Sequence, residues 1–200
     1  HIGRDVTLDV LEREVMKDDV FFRSSGGGVT LSGGEVLMQA PFATLLLQRL
    51  RRYGVHTAIE TAGDAPLSRL LPLAHQCDEV LFDLKIMDTE QARSVVAMNL
   101  PRVLDNFMQL VADGVNVIPR VPLIPGFTLN ETNMARVLAF LLPSGIRQLH
   151  LLPFHQYGEP KYRLLGQERG MRQVVPPTES EVAAMRQMAE REGFHVTVGG

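Results

Sequence analysis

Residues 29–35 read VTLSGGE, so two glycines, which have no side chain, are followed directly by a glutamate. Residues 29–31 are apolar and β-branched enough for a short buried strand, and the two glycines after Ser32 leave the main chain open to a ligand. Glu35 adds a carboxylate beside them. Carbonyl oxygens next to a carboxylate suit a cationic amine, so this segment predicts an amine-binding site.

Further polar side chains come at or just after the ends of other strand-like runs. They are Glu60, Thr61, Asp83, Lys85, Arg120 and His155. Because the carboxyl ends of parallel strands meet at one edge of a sheet, we expect these side chains to share a site. Carboxylates and a lysine gathered there could also be tuned for proton transfer, which leaves an ordinary acid–base enzyme as an alternative.

The elements that must position these residues follow from the alternation of strand-like and helical patterns. Helices are predicted over residues 5–19, 40–53, 67–76, 89–97, 102–112, 132–142 and 178–192, and strands over 29–31, 55–63, 79–85, 115–126, 148–155 and 195–198. This alternation predicts an α/β fold with a parallel sheet, either doubly wound or curved toward a barrel. Residues 157–177 are predicted to form a long loop over one end of the sheet.

The composition restricts the classes of function. The chain has 200 residues, 45% of them hydrophobic, and we expect one domain over residues 1–200. A formal net charge of -3 argues against a broad surface for nucleic acid or an anionic membrane. No apolar run approaches the ~18 residues of a membrane span, so a cytoplasmic protein is expected. Cys77 is the only cysteine, which excludes an internal disulfide and a metal site made of this chain's cysteines.

Each candidate position also has a purely structural interpretation. The glycines could form only a tight turn with positive φ, Glu60 and Asp83 could cap helices, and Lys85 could pair with Asp83. His155 could be an ordinary loop histidine. The joint placement of these residues at successive strand ends favours the functional interpretation.

Two other features have simple structural interpretations. The methionines, among them Met38, Met87 and Met98, are predicted to fill the core. His75 and Cys77 are close in sequence, a pattern more typical of a buried thiol beside an exposed histidine than of a metal site.

The letters LSGGE also occur in the signature loop of ABC-type ATPases, where a Ser-Gly-Gly turn presents N–H groups to a phosphate at the start of a helix. The chain contains no GxxxxGK[ST] phosphate loop. No apolar strand ending in Asp-Glu follows at short range either, so the sequence does not support this interpretation.

A second family accounts for more of the motifs. SGGGVTLSGGEVLMQ, ETAG, DLK, RVPLIPG and LLPFH occur here in an order that closely resembles the activating enzymes of glycyl radical enzymes such as pyruvate formate-lyase, a branch of the radical S-adenosylmethionine superfamily. The resemblance covers nearly the whole chain. It implies an α/β fold in the form of a partial (β/α) barrel of the radical S-adenosylmethionine type, lacking its first strand.

The resemblance also implies roles for individual residues. Ser32, Gly33, Gly34 and Glu35 would bind the methionyl amine of S-adenosylmethionine. Glu60, Thr61 and Asp83 would lie near the cofactor carboxylate and a monovalent cation. The remaining implied contacts are Asp83, Leu84 and Lys85 at the ribose and carboxylate end, Arg120 at the pocket and His155 beside the adenine. The segment YGEPK at residues 157–161, with Tyr162, would cover the pocket or face the protein partner.

The chain departs from the family in its cysteines. The family binds a [4Fe–4S] cluster through a CxxxCxxC motif, which is absent here. We therefore expect the cluster ligands to lie upstream of His1, and this chain to be an N-terminally truncated part of an activase that is inactive in isolation. In the family, the reduced cluster cleaves S-adenosylmethionine to a 5′-deoxyadenosyl radical, which abstracts hydrogen from a glycine of the partner.

The implied partners are a glycyl radical enzyme as protein substrate and an electron donor such as flavodoxin, with no nucleic acid and no membrane. The single cysteine leaves one alternative open. A non-catalytic domain that binds S-adenosylmethionine or docks a partner would keep the pocket without redox chemistry.

Overall fold

A computed structural model describes residues 4–155 and 174–199 of the chain. The strands are β1 (Gly28–Leu31), β2 (His56–Thr61), β3 (Glu79–Asp83), β4 (Val117–Leu123), β5 (Gln148–Pro153) and β6 (His195–Val198). The helices are α1 (Leu8–Val15), α2 (Asp19–Ser25), α3 (Ala40–Arg52), α4 (Leu67–Ala74), α5 (Thr89–Val96), α6 (Leu100–Ala112), α7 (Glu131–Leu141) and α8 (Glu179–Arg191). Short 3₁₀ helices cover Met16–Asp18, Val36–Gln39 and Leu142–Ser144.

The strands form a six-stranded sheet in the order β1-β2-β3-β4-β5-β6. The pairs β1–β2, β2–β3, β4–β5 and β5–β6 are parallel. The predicted α/β alternation and parallel sheet are therefore confirmed. Within residues 4–155 and 174–199, no helix is both long and apolar enough to cross a membrane.

The sequence prediction is least accurate near the beginning of the chain. Thr7 caps α1, since the Val10 N–H donates to Thr7 Oγ1 at 3.4 Å. The predicted helix over residues 5–19 is instead divided between α1, a 3₁₀ turn and the start of α2. Helix α2 was not predicted. It ends at Ser25, and the next residue, Gly26, has a φ of 68°, the left-handed conformation that commonly follows the last residue of a helix.

The chain divides into two compact units. The amino-terminal unit consists of Val6–Asp83 and Thr89–Ile118. The carboxyl-terminal unit includes Leu84–Asp88 and the described chain from Pro119 onward. One domain over residues 1–200 stays a prediction.

The core of the amino-terminal unit lies between β1–β3 and helices α3, α4 and α6. Buried residues of α3 recur at positions 43, 46, 47 and 50, the spacing of one helix face. Helix α1 packs its apolar side chains against Leu46, Leu50 and Val55. The guanidinium of Arg49 joins α3 to α1 by ion pairs with Asp9 and Glu12.

The core of the carboxyl-terminal unit consists of β4 and β5 residues with one face of α7 and α8. Its buried apolar side chains include Val121, Leu123, Met134, Val137, Leu141, Leu149, Leu151 and Met185. Helix α8 begins with a capping box, in which Thr178 and Glu181 satisfy each other's backbone N–H groups.

The methionine prediction holds for two positions and is wrong for the third. Met87 and Met98 are buried, whereas Met38 is 77% exposed. The 3₁₀ helix Val36–Gln39 places Leu37 in the core, and its tight turn leaves the next side chain facing outward.

Candidate functional site

The loop after β1 offers open backbone beside the end of β2. Strand β1 ends at Leu31, which is in register with Ile59, so the loop begins next to the last residues of β2. Gly33 has a φ of 123°, a conformation that favours glycine. A Cβ atom on Gly33 or Gly34 would meet no heavy atom within 4 Å. The backbone polar groups of this loop therefore border space that a ligand can occupy.

Glu35 joins this loop to the residues that end β2. Its Oε1 accepts hydrogen bonds from Thr61 Oγ1 at 2.7 Å and from the Leu37 N–H at 3.3 Å. Its Oε2 accepts one from the Ala62 N–H at 3.0 Å. A carboxylate has about four acceptor positions, so these three bonds leave room for about one more donor. Glu35 is thus held in place and still able to accept from an ammonium group.

Ser32, Glu60 and Thr61 complete the cluster around Glu35. The Ser32 hydroxyl donates to Glu60 Oε2, which links the ends of β1 and β2. The buried Thr61 hydroxyl donates to Glu35 and accepts from the Gly63 N–H at 2.9 Å. Four predicted residues, Ser32, Glu35, Glu60 and Thr61, therefore lie together, and we call them the Glu35 cluster.

The loop that follows β2 is held by residues that the sequence analysis did not identify. Asn106 of α6 donates to the carbonyls of Gly63 at 2.7 Å and Ala65 at 2.8 Å. Asp64 accepts from the Arg102 guanidinium at 2.6 and 2.9 Å. One signal was present in the sequence, because Asn106 is a polar residue within the apolar stripe of a helix.

Asp83 ends β3 in the amino-terminal unit. Phe82 is in register with Thr61, so the half-buried Asp83 lies at the same edge of the sheet as Thr61. Glu60 and Asp83 are both strand residues, and the helix-capping interpretation is therefore wrong for both.

The remaining predicted contacts belong to the carboxyl-terminal unit. The Leu84 side chain is buried in the core, and its N–H donates to the Arg120 carbonyl at 2.8 Å. The Lys85 carbonyl accepts from Asn133 at 2.9 Å. His155 is exposed and follows β5 by two residues, as predicted. Residues 157–162, predicted to cover the pocket or face a partner, lie outside the described part of the chain.

The predicted position of Arg120 within its strand is wrong. We expected it at or just past a strand end, but it is the central residue of β4 and is 7% exposed. The strand continues for three residues because Val121 and Leu123 are buried, and it ends where Ile124 enters a turn. The Arg120 side chain is therefore buried in the middle of a strand.

Cys77 is half-buried, and its thiol contacts the backbone. Burial, followed by the charge of Asp78, raises the pKa of the Cys77 thiol to about 12, and its S–H donates to the Ala74 carbonyl. His75 Nε2 lies 2.6 Å from Asp113 Oδ2. Within the described residues, no group of three or more His, Cys, Asp and Glu side chains could hold a metal ion. The predicted exposed histidine is confirmed, whereas Cys77 is half-buried rather than buried.

Comparison with known families decides the affiliation. The family described as "Radical SAM superfamily" matches residues 1–138. The chain belongs to the radical SAM superfamily.

Curated relatives place this radical SAM chain among activating enzymes. It is 72% identical to the pyruvate formate-lyase 2-activating enzyme of Escherichia coli strain K12, over 100% of this chain and 68% of that protein. It is 36% identical to the isethionate sulfite-lyase activating enzyme of Nitratidesulfovibrio vulgaris, over 89% of this chain and 58% of that protein. It is 30% identical to the trans-4-hydroxy-L-proline dehydratase activating enzyme of Clostridioides difficile, over 100% and 67%. The chain thus spans between 58% and 68% of these three relatives.

Solved structures of radical SAM proteins share the fold. A domain of a pyruvate-formate lyase-activating enzyme from Bacteroides vulgatus gives a TM-score of 0.71 at 27% identity, over 87% of this chain and 99% of that one. A radical SAM methyltransferase from Sphaerobacter thermophilus gives 0.74 at 16% identity, over 98% and 58%, and shows the fold alone. These likenesses are consistent with the predicted partial (β/α) barrel; the missing first strand stays a prediction.

Proposed function

We propose that this chain is the S-adenosylmethionine-binding part of an activating enzyme for a glycyl radical enzyme of the pyruvate formate-lyase type. Superfamily membership and the 72% identity to an activating enzyme support the proposal. The structural observation that carries it is the Glu35 cluster, a fixed carboxylate beside an open glycine loop.

The charge and donor pattern of this cluster fits the cofactor. S-adenosylmethionine carries an ammonium group and a positively charged sulfonium, and Glu35 and Glu60 supply negative charge in the amino-terminal unit. The ammonium has three N–H donors, which the remaining acceptor position of Glu35 and the carbonyls of the glycine loop can accept. Gly33 and Gly34 let the ligand approach because a side chain there would fill the open space.

Other cofactor contacts are proposed from the family resemblance. In the carboxyl-terminal unit they are Leu84, Lys85, Arg120 and His155, and in the amino-terminal unit Asp83. Glu60, Thr61 and Asp83 are proposed to lie near a monovalent cation, which prefers oxygen ligands of this kind. Arg120 and Leu84 are buried, so their proposed contacts with the cofactor would be made from the protein interior.

The iron–sulfur cluster of the superfamily does not fit the residues of this chain. Three thiolates are needed, and Cys77 is the single cysteine. We propose that residues outside these 200 supply the ligands. A cluster held by those residues would supply the radical chemistry of the superfamily. The chain's own part is to bind the amine, orient the cofactor and hold the loops around it.

The proposed partners are the glycyl radical enzyme and a flavodoxin-like electron donor, and the proposed location is the cytoplasm. The net charge of -3 supports the absence of a broad nucleic-acid or membrane surface.

The test uses the intact protein, reconstituted with iron and sulfide, reduced, and mixed with S-adenosylmethionine and a pyruvate formate-lyase-type partner. We expect 5′-deoxyadenosine by chromatography and a glycyl radical by electron paramagnetic resonance. Omitting the reductant provides the control. The single cysteine favours a second candidate, a non-catalytic S-adenosylmethionine-binding domain. Binding of S-adenosylmethionine without cluster assembly or cleavage would support that candidate and overturn the first.

A further inference from the structure

We propose that two buried asparagines, Asn106 and Asn133, are positioning residues for cofactor-binding loops, one in each unit. Both side chains are neutral, so neither acts on the cofactor through a charge. Each instead fixes the backbone that follows one strand. The inference rests on the proposed function, because it concerns the same S-adenosylmethionine site.

Asn106 fixes the loop after β2. It is 4% exposed, and both of its N–H donors are used, toward the carbonyls of Gly63 and Ala65. The loop cannot move toward the sheet, because a Cβ atom on Gly63 would lie 2.2 Å from the Phe82 ring. Phe82 packs edge-on against Phe107, the neighbour of Asn106, with ring centroids 5.2 Å apart. Helix α6 therefore determines where this loop lies.

This loop and the last residue of β2 supply two of the three donors that hold Glu35. The Ala62 N–H and the Thr61 hydroxyl donate to the Glu35 carboxylate, and the Thr61 oxygen is itself held by the Gly63 N–H. A displacement of residues 62–65 would therefore break the Ala62 hydrogen bond to Glu35 and release the Thr61 hydroxyl from the Gly63 N–H. Asn106 therefore acts on Glu35 through three successive hydrogen bonds, from Asn106 to Gly63, from Gly63 to Thr61 and from Thr61 to Glu35.

Asn133 has the same arrangement in the carboxyl-terminal unit. It is 7% exposed, and its amide group donates to the Lys85 carbonyl at 2.9 Å and to the Thr128 carbonyl at 3.4 Å. Its Oδ1 accepts from the Met87 N–H at 2.8 Å. Helix α7 therefore holds the loop that carries the lysine of the DLK motif.

Each of the two loops also forms an ion pair with the helix that carries its asparagine. Arg102, on the same helix as Asn106, binds Asp64, and Arg136, on the same helix as Asn133, binds Asp88 at 3.0 Å. Both pairs are partly exposed and contribute little rigidity, since solvent screens them. The interior hydrogen bonds of the asparagines are the stronger constraint, because buried carbonyls need a donor.

The test replaces each asparagine by aspartate, which keeps the shape, removes the N–H donors and places a negative charge beside the carbonyl oxygens. In the intact protein, Asn106→Asp and Asn133→Asp are expected to weaken S-adenosylmethionine at least about tenfold by equilibrium dialysis. The kcat for cofactor cleavage should fall by less than the affinity, since neither residue touches the reacting atoms. The matched control is Asn116→Asp, because Asn116 donates to the Asp78 carbonyl at 3.3 Å but precedes β4 at the opposite end of the strand. Its affinity should remain within about twofold of wild type.

A second measurement does not depend on cofactor binding. In Asn106→Ser, the backbone amides of Ala62 and Gly63 should exchange with solvent at least about tenfold faster than in wild type, at unchanged exchange in β3. If Asn106→Asp fails to fold, this variant decides the outcome. Wild-type affinity in both aspartate variants, or unchanged exchange at Ala62 and Gly63, would overturn the inference. A wild-type protein that does not bind S-adenosylmethionine would instead overturn the proposed function, while the exchange measurement would still test the asparagine.

Discussion

Replacing Gly63 by alanine should destabilise the amino-terminal unit strongly. The residue has a φ of 68°, and a left-handed conformation costs a non-glycine residue ~1–2 kcal/mol. The new Cβ atom would also lie 2.2 and 2.5 Å from Phe82 ring atoms. Phe82 is fully buried and packed against Phe107, so it cannot yield easily, and overpacking of this kind adds ~1–3 kcal/mol. We expect a loss of ~2–5 kcal/mol in the free energy of unfolding, the sum of the two effects.

Gly114 provides the matched control for this prediction. Its φ is 75°, but a Cβ atom there would meet no heavy atom within 4 Å. Gly114→Ala should therefore be destabilised only by the cost of the left-handed backbone conformation. The change in the entropy of the unfolded chain is the same for both variants. Urea unfolding followed by circular dichroism measures the difference, which should be ~1–3 kcal/mol. Equal destabilisation of the two variants would refute the tight packing of the loop on Phe82.

Three further predictions concern regions away from the Glu35 cluster. Hydrogen bonds from Arg49, and then from Tyr53, lower the pKa of Glu12 below its ordinary 4.5. The hydrogen bonds of ionised Glu12 therefore stabilise the fold above pH 4.5, and this stabilisation is lost as the pH falls through the lowered pKa. In Glu12→Gln, the free energy of unfolding should fall less steeply with acidification than in wild type. The Cys77 thiol, with its pKa raised to about 12, should react with iodoacetamide at pH 8 at least about tenfold more slowly in the folded protein than in urea; equal rates would contradict its burial. Met38→Gln should change the free energy of unfolding by less than ~0.5 kcal/mol, whereas Met98→Gln should lose ~1–3 kcal/mol, because Met98 is buried; equal effects would contradict the assignment.

The Glu35 cluster could be predicted because it depends on a local sequence motif and on the regular pairing of parallel strands. An apolar run that ends in Ser-Gly-Gly-Glu indicates where a strand stops, and parallel pairing then brings Glu60 and Thr61 beside it. The strand containing Arg120 was harder to delimit. The predicted range, residues 115–126, runs past the observed end at Leu123, whereas Arg120 was expected at or just past a strand end and lies at the centre of β4.

The supporting contacts could not be predicted in the same way. Three of the four backbone carbonyls that Asn106 and Asn133 bind lie 41 to 48 positions away in the chain, and no local pattern specifies such a partner. Their only sequence signal is a polar residue on the buried face of an amphipathic helix. Helix α2 was missed because its exposed Val20 and Phe21 do not follow the pattern of a helix with one buried face.

The central claim is that Glu35 contributes to binding the cofactor's amine. The most direct measurement is the dissociation constant of S-adenosylmethionine for the intact protein and two charge-neutralised variants, Glu35→Gln and Glu90→Gln. Glu90 lies exposed on α5 in the same unit and controls for the loss of one negative charge. We predict at least about tenfold weaker binding for Glu35→Gln and wild-type binding for Glu90→Gln, since hydrogen bonds to a charged group contribute ~1.5–3 kcal/mol. Equal affinity of all three proteins would contradict the account.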